Sequence, residues 1–403
     1  MAGRGRASGV VASCVLLLAA LVGCGGGPAH DTAADAVQQV LDRRAAAVLA
    51  GDAAAYRATA TAGGGQRTAQ DAGFGNLRAV PLASWAYRLT GFDRSGDRAT
   101  AEADLSYRIK GYDSAPLVAA RTLRLTRSGG HWYVASDRPA KKAAEQLWEQ
   151  GAVRAVRGEH SLVLGVGQSD ETLRGYARLA DRAAPAVSQA WGTDWAGHVV
   201  VLVPQSLEGM AELLGAPASG YRGIAAVTTG EAGASARAPA DRIIVNPEAY
   251  GVLGDLGRQV VLTHETTHVA TRAHTTAATP LWLSEGYADW IGYLGTGRTA
   301  TQAAPELESA VVDGHLPADL PADADFGFSG DAARLARAYE GGWLACRLIA
   351  DHWGEVRLND FYRAVGDHAR RAGAVEDALK DVLHTTPEKF TQQWREYLRA
   401  QLG

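Results

Sequence analysis

The chain reads as an α+β protein in two parts. Residues 101–110 alternate apolar and polar side chains with a period of two, just after stretches of helical periodicity, the pattern of helices followed by an antiparallel sheet. Two short apolar runs, Ser161–Gly165 and His198–Val203, mark strands of a second, small sheet. Beyond about Asp255 apolar residues recur at intervals of three and four, so the C-terminal part is mainly helical.

The chain of 403 residues opens with Arg4 and Arg6, followed by a short apolar run from Val10 to Val22 and then Gly23-Cys24. That run is shorter than the roughly 20 apolar residues of a spanning helix. The segment resembles a bacterial lipoprotein signal with its lipobox. The resemblance implies removal of residues 1–23, lipidation of Cys24 and anchorage at the extracytoplasmic face of the cell membrane. Losing Arg4 and Arg6 takes the formal charge from −4 to −6, which gives no electrostatic basis for a nucleic-acid partner. Cys14 falls in the signal, so Cys346 is the one thiol left beside Cys24. It sits in an apolar helical run, reads as a small buried hydrophobe, and excludes an internal disulfide.

After a tether, residues 24–30, residues 31–137 read as an accessory α+β domain. Val37, Val40, Leu41, Arg44 and Val48 form a mainly apolar helical stripe ending near Gly51, and a short helix covers Ala53 to Ala60. The alternating strand 101–110 follows. Residues 117–127 and 131–136 flank Ser128-Gly129-Gly130, a hairpin turn. Helices followed by a meander ending in Trp132-Tyr133-Val134 are similar to the SnoaL-like cones. Such cones can enclose a ligand pocket, but the pattern shows no clustered His, Asp or Glu that demands one, so a spacer or docking role is expected ahead of it.

Residues 138–157 are polar and helix-prone and read as a linker to a second domain, 158–403. There the strand at 161–165 precedes a helix from about Glu171 to Trp191, with Pro185 marking a kink or break. The run 198–203, ended by Pro204, suits a central strand covered on both faces. Ser206 caps the next helix. Strands at 223–229 and 242–245 bracket the loop Glu231–Ala240. Thr301–Asp325, with three prolines, reads as a loop-rich stretch that could cover a cleft, and helices at 331–353, 356–365 and 387–402 close the chain.

The chemistry concentrates in His264-Glu265-Thr266-Thr267-His268, inside a helical run from Asp255 to Ala273. Histidines four apart share one helix face, so both imidazoles can reach one tetrahedral zinc, and the glutamate between them stands ready to activate water. Downstream, Pro280-Leu-Trp-Leu-Ser-Glu285-Gly-Tyr-Ala-Asp289-Trp begins a second helix, with Thr279 as cap. Glu285 and Asp289 lie one turn apart on a common face.

These two motifs resemble the gluzincin zinc peptidases, and Trp282-Leu-Ser-Glu-Gly-Tyr-Ala-Asp resembles the bacterial peptidase MA-like domains. The resemblance implies one Zn2+ per chain held by His264, His268 and Glu285, with Glu265 as general base and Asp289 behind a ligand histidine. An edge strand beside the metal would then pair with a peptide or protein substrate, and Tyr339 is the candidate to stabilise the oxyanion. His274 has the spacing of a metzincin third ligand, but Thr271 stands where that pattern needs glycine, and no methionine follows. The expected function is zinc-dependent peptide hydrolysis. The alternative is a binding lipoprotein with an inactive peptidase-like domain and its function in the N-terminal domain, which an intact Glu265 argues against.

Overall fold

A computed structural model describes residues 32–229, 240–327 and 331–403. The signal-like segment, Cys24, the tether and nearly all of the loop 231–240 lie outside the described residues.

Helix α1, Thr32–Ala50, buries Val37, Val40, Leu41 and Val48 together with Arg44. Asp52 caps α2, Ala53–Ala58, by accepting the N–H groups of Ala54 and Ala55, and α3 spans Gly64–Asn76. Strands β1, Leu82–Ser95, β2, Arg98–Ile109, β3, Leu117–Ser128, and β4, His131–Pro139, form an antiparallel meander in chain order. The alternating residues Ala101, Ala103, Leu105, Tyr107 and Ile109 all point inward. Gly129 and Gly130 turn the β3–β4 hairpin with φ of 55° and 82°, the left-handed pair that such a turn requires. Helix α3 and strand β1 were not evident in the sequence. The helix offers few apolar residues, and a bulge between Leu89 and Gly91 interrupts the strand's alternation.

Residues 138–157 differ from the helix-prone linker expected of them. They carry one helical turn, α4, Leu147–Gln150, and then β5, Val153–Arg157, an edge of the second sheet. The sheet continues through β6, Ser161–Val166; α5, Asp170–Trp191; β7, Val199–Val203; and α6, Leu207–Leu214. Two short strands, β8, Ala226–Thr228, and β9, Ile243–Val245, complete it in the order β5-β6-β7-β9-β8. β6, β7 and β9 are parallel, and both edges are antiparallel. β7 is thus central, as its unbroken apolar run indicates. Helix α5 passes through Pro185 without a break, because Pro185 lies on the exposed face, where the carbonyl it leaves unpartnered can meet water.

Then come α7, Pro247–Gly251; α8, Asp255–Thr271; α9, Leu281–Tyr293; α10, Ala300–Ala303; α11, Pro305–Val312; α12, Ala332–Trp353; α13, Glu355–Asp367; α14, Ala374–Asp381; and α15, Pro387–Leu402. The stretch expected to be loop-rich is helical as far as Val312, since Thr299 and Gln302 cap α10 reciprocally and Pro305 occupies the first turn of α11. Pro280, not Thr279, is the residue at the cap of α9; the Thr279 hydroxyl instead accepts the Thr276 N–H. Cys346 is fully buried on α12.

Among the described residues three apolar cores result. One fills the helical region between α9, α12, α13 and α15; one joins the second sheet to α5 and α8; one runs from α1 and the first sheet through Leu147 and Trp148 to Leu164, Val200 and Ile244. The third ties the two parts of the chain together. Asp113 and Arg242 add a two-pronged ion pair across the same junction, both bonds 2.8 Å long. Among the described residues no helix is long and apolar enough to cross a membrane.

Candidate metal centre

Helix α8 carries His264 and His268 one turn apart, and α9 lies against it with Glu285 facing them. His264 Nε2 and His268 Nε2 are 3.0 Å apart, and Glu285 Oε2 lies 3.3 Å from the first and 3.4 Å from the second. Donors around a tetrahedral zinc at about 2.0–2.2 Å sit roughly 3.3–3.6 Å from one another. Two imidazole nitrogens and one carboxylate oxygen, all buried, therefore form a triangle of the size and donor chemistry that zinc takes.

The charges agree with that geometry. Burial works against the His264 imidazolium, but Asp289, then Glu285 and Glu265, outweigh it and hold the ring well above its ordinary pKa. Burial likewise raises the Glu285 carboxyl, but His268 and His264 pull it well below the usual carboxylate range. The carboxylates that hold a proton on His264 would equally attract a cation in its place, and metal binding there would release that proton. Asp289 Oδ1 lies 2.8 Å from His264 Nδ1, so the aspartate fixes the tautomer that leaves Nε2 free as a donor to metal.

Glu265 is buried beside this triangle, and its carboxylate accepts a 2.7 Å hydrogen bond from the Thr228 hydroxyl on β8. Thr228 was not singled out in the sequence, because nothing local to it marks a strand hydroxyl that meets a helix far along the chain. Asp241 was missed as well. Arg272 bridges to it at 3.0 Å and to the Thr229 carbonyl at 3.0 Å, pinning both ends of the 230–240 loop to the end of α8. Burial pushes the Asp241 carboxyl up to about 6 against the pull of Arg272 and, more weakly, Arg242 and His268.

Tyr339 on α12 comes close, its ring centroid 6.3 Å from that of His264. His274 does not join the triangle. The backbone leaves α8 in a single 3-10 turn at Arg272–His274, and the His274 ring packs edge-on to Trp191 with Asp194 and Asp367 each 3.7 Å away. Among the described residues, His264, His268 and Glu285 are the group able to hold a metal. Of the two strands on either side of the 230–240 loop, β8 is the edge of the sheet and β9 is interior.

No known family profile matches the sequence, and no curated protein matches it. Solved structures give distant likenesses. Native yeast LTA4 hydrolase is 12% identical with a TM-score of 0.39, covering 69% of this chain and 43% of its own. An M1 zinc metallopeptidase mutant from Deinococcus radiodurans, bound to a Tyr-Ser-Ala substrate, is 15% identical with a TM-score of 0.34, covering 75% of this chain and 61% of its own. A protein of unknown function from Mycobacterium tuberculosis is 17% identical with a TM-score of 0.23, covering 28% of this chain and 75% of its own. The chain thus spans less than two thirds of the hydrolase and of the metallopeptidase. At such identities and TM-scores these likenesses assign neither family nor activity, and the chemistry rests on the residues.

Proposed function

We propose that the chain is a zinc-dependent peptide hydrolase of gluzincin type, anchored by a lipid on Cys24 at the extracytoplasmic face of the membrane. The observation that carries the hydrolytic reading is the closed triangle of His264, His268 and Glu285 with a buried, hydrogen-bonded Glu265 at its side. Zinc bound there supplies Lewis acidity toward a carbonyl oxygen and an attacking water.

The residues divide the remaining work. Glu265 takes the proton of the attacking water and carries it to the departing amine. Thr228 holds that carboxylate in place. Asp289 keeps Nε2 of His264 directed at the ligand triangle. Tyr339 donates its hydroxyl to the oxyanion that develops as the carbonyl is attacked. Strand β8, the sheet edge beside α8, offers unpaired backbone groups to a substrate in extended form, which favours a peptide over another amide. The lipid anchor is supported by Arg4, Arg6, the short apolar run and Gly23-Cys24.

Zinc content of the purified chain from Gly25 onward, measured beside peptide hydrolysis, tests the reading. About one zinc per chain is expected. Glu265→Gln is expected to keep the metal and lose hydrolysis, Glu285→Ala to lose the metal, and His274→Ala to keep it. Hydrolysis at the parent rate in Glu265→Gln would overturn the base assignment.

A further inference from the structure

Strand β8, whose Thr228 holds the Glu265 carboxylate, spans three residues and pairs on one side only, with the equally short β9. Three residue pairs are too few to fix the place of a strand by themselves. What fixes it is a grip on the next residue, Thr229. Its N–H donates to the Arg242 carbonyl at 2.8 Å, its hydroxyl accepts the Arg242 N–H at 2.9 Å, and its carbonyl accepts from Arg272 Nη2 at 3.0 Å. Arg272 follows Glu265 by seven residues, two helical turns, so one face of α8 holds this edge twice, through the proposed base and through the arginine.

The grip continues into the N-terminal part. Arg272 Nε donates to Asp241 at 3.0 Å, the Asp241 carbonyl accepts from Arg242 Nη1 at 3.0 Å, and Arg242 holds both carboxylate oxygens of Asp113. Asp113 stands in the turn between β2 and β3, where its Oδ2 also accepts the Ile109 N–H at 2.6 Å. These four charged side chains are at most 10% exposed. Buried ion pairs of this kind add little net stability over apolar side chains that would fill the same space. What they add is direction, since each bond requires its partner at one distance and angle, and linked bonds pass a displacement at one end along to the other. The apolar core already joins the two parts, so the charged chain is better suited to setting position than to holding them together.

We propose that Asp113 and Arg272 are positioning residues for the hydrolytic reaction: through Arg242 and Asp241 the N-terminal part sets where β8 stands, and with it where Thr228 holds the Glu265 carboxylate. This rests on the hydrolytic reading for its effect on rate. It gives the N-terminal part a task at a centre whose ligand triangle lies wholly in the second part.

Hydrogen exchange followed by mass spectrometry on the purified chain from Gly25 onward reads the hold on β8 without any chemistry. Asp113→Asn and Arg272→Met are each expected to speed exchange at residues 226–229 about tenfold and to leave α5 as in the parent, which checks the fold. With zinc bound, each is expected to lower kcat on oxidised insulin B chain about tenfold, with KM and zinc content unchanged and Arg272→Lys recovering part of the loss. Added to Thr228→Val, Arg272→Met is expected to lower kcat by less than about twofold more, because both act through the same carboxylate. Unchanged exchange at β8 in both variants, or parent kcat where exchange is faster, would overturn the proposal. Full multiplication of the Thr228→Val and Arg272→Met losses would overturn it as well, and so would loss of zinc in Arg272→Met. A parent that binds zinc and cleaves nothing would instead overturn the hydrolytic reading, and the effect on rate with it.

Discussion

Thr228 shows how one hydroxyl can fix the position of a buried carboxylate, here that of Glu265, the proposed general base. Its bond to Glu265 is short and buried, and hydrogen bonds to charged groups contribute about 1.5–3 kcal/mol. Thr228→Val is therefore expected to lower kcat by about tenfold or more with metal content unchanged, and Thr228→Ser to restore most of it; equal rates in both variants would remove Thr228 from the mechanism. The contrast with its neighbours explains what was legible in the sequence. His264, Glu265 and His268 stand out because helical spacing alone brings them to one face, and Glu285 and Asp289 because the same period applies one helix later. Thr228 and Asp241 act from a strand and a loop end, where no local period records which helix they will meet.

Among the helices, the contact that fixes Glu285 is one of backbones. A Cβ added at Gly286 would stand 2.2 Å from the Gly342 carbonyl group, so α9 and α12 touch with no room for a side chain. Gly286→Ala must push α9 off α12, at a cost of about 3 kcal/mol or more given a clash with main chain. Because Gly286 follows Glu285 directly, zinc occupancy is expected to fall along with the melting temperature, and full zinc content in a folded variant would speak against this coupling. A second helix contact titrates. Glu340 on α12 accepts the Glu306 and Leu307 N–H groups at the start of α11, and burial outweighs these bonds and pushes its carboxyl up to about 7. A folded-state value raised above the unfolded value of about 4.5 favours the protonated fold, so stability is lost as pH rises from about 4.5 to 7. Glu340→Gln, which stays neutral, is expected to match the parent near pH 5 and to melt above it at pH 8. A difference that does not grow with pH would contradict this sign.

On the scale of the whole molecule, the two parts are less separate than the polar stretch 138–157 suggested, because a linker was inferred from composition and the apolar surface that Trp148 and Leu147 fill arises only after folding. The Asp113–Arg242 pair crosses that junction with side chains 0% and 6% exposed. Removing one partner of such a buried pair strands the other charge, typically costing about 3–5 kcal/mol. Asp113→Ala is expected to destabilise the chain by that order in denaturant titration, and adding Arg242→Met to recover part of the loss. Strict additivity of the two substitutions would show that the pair is not coupled.

The placement of the ligand triangle reaches further than catalysis. Leu262 on α8 belongs to the sheet-side core, whereas Leu283 and Tyr287 on α9 belong to the helical core. A zinc ion gripped by both helices would act as a further clasp between two cores that Ala270 of α8 and Val187 and Trp191 of α5 already join, and the same few bonds that prepare it for chemistry would tighten the coupling with which those cores melt.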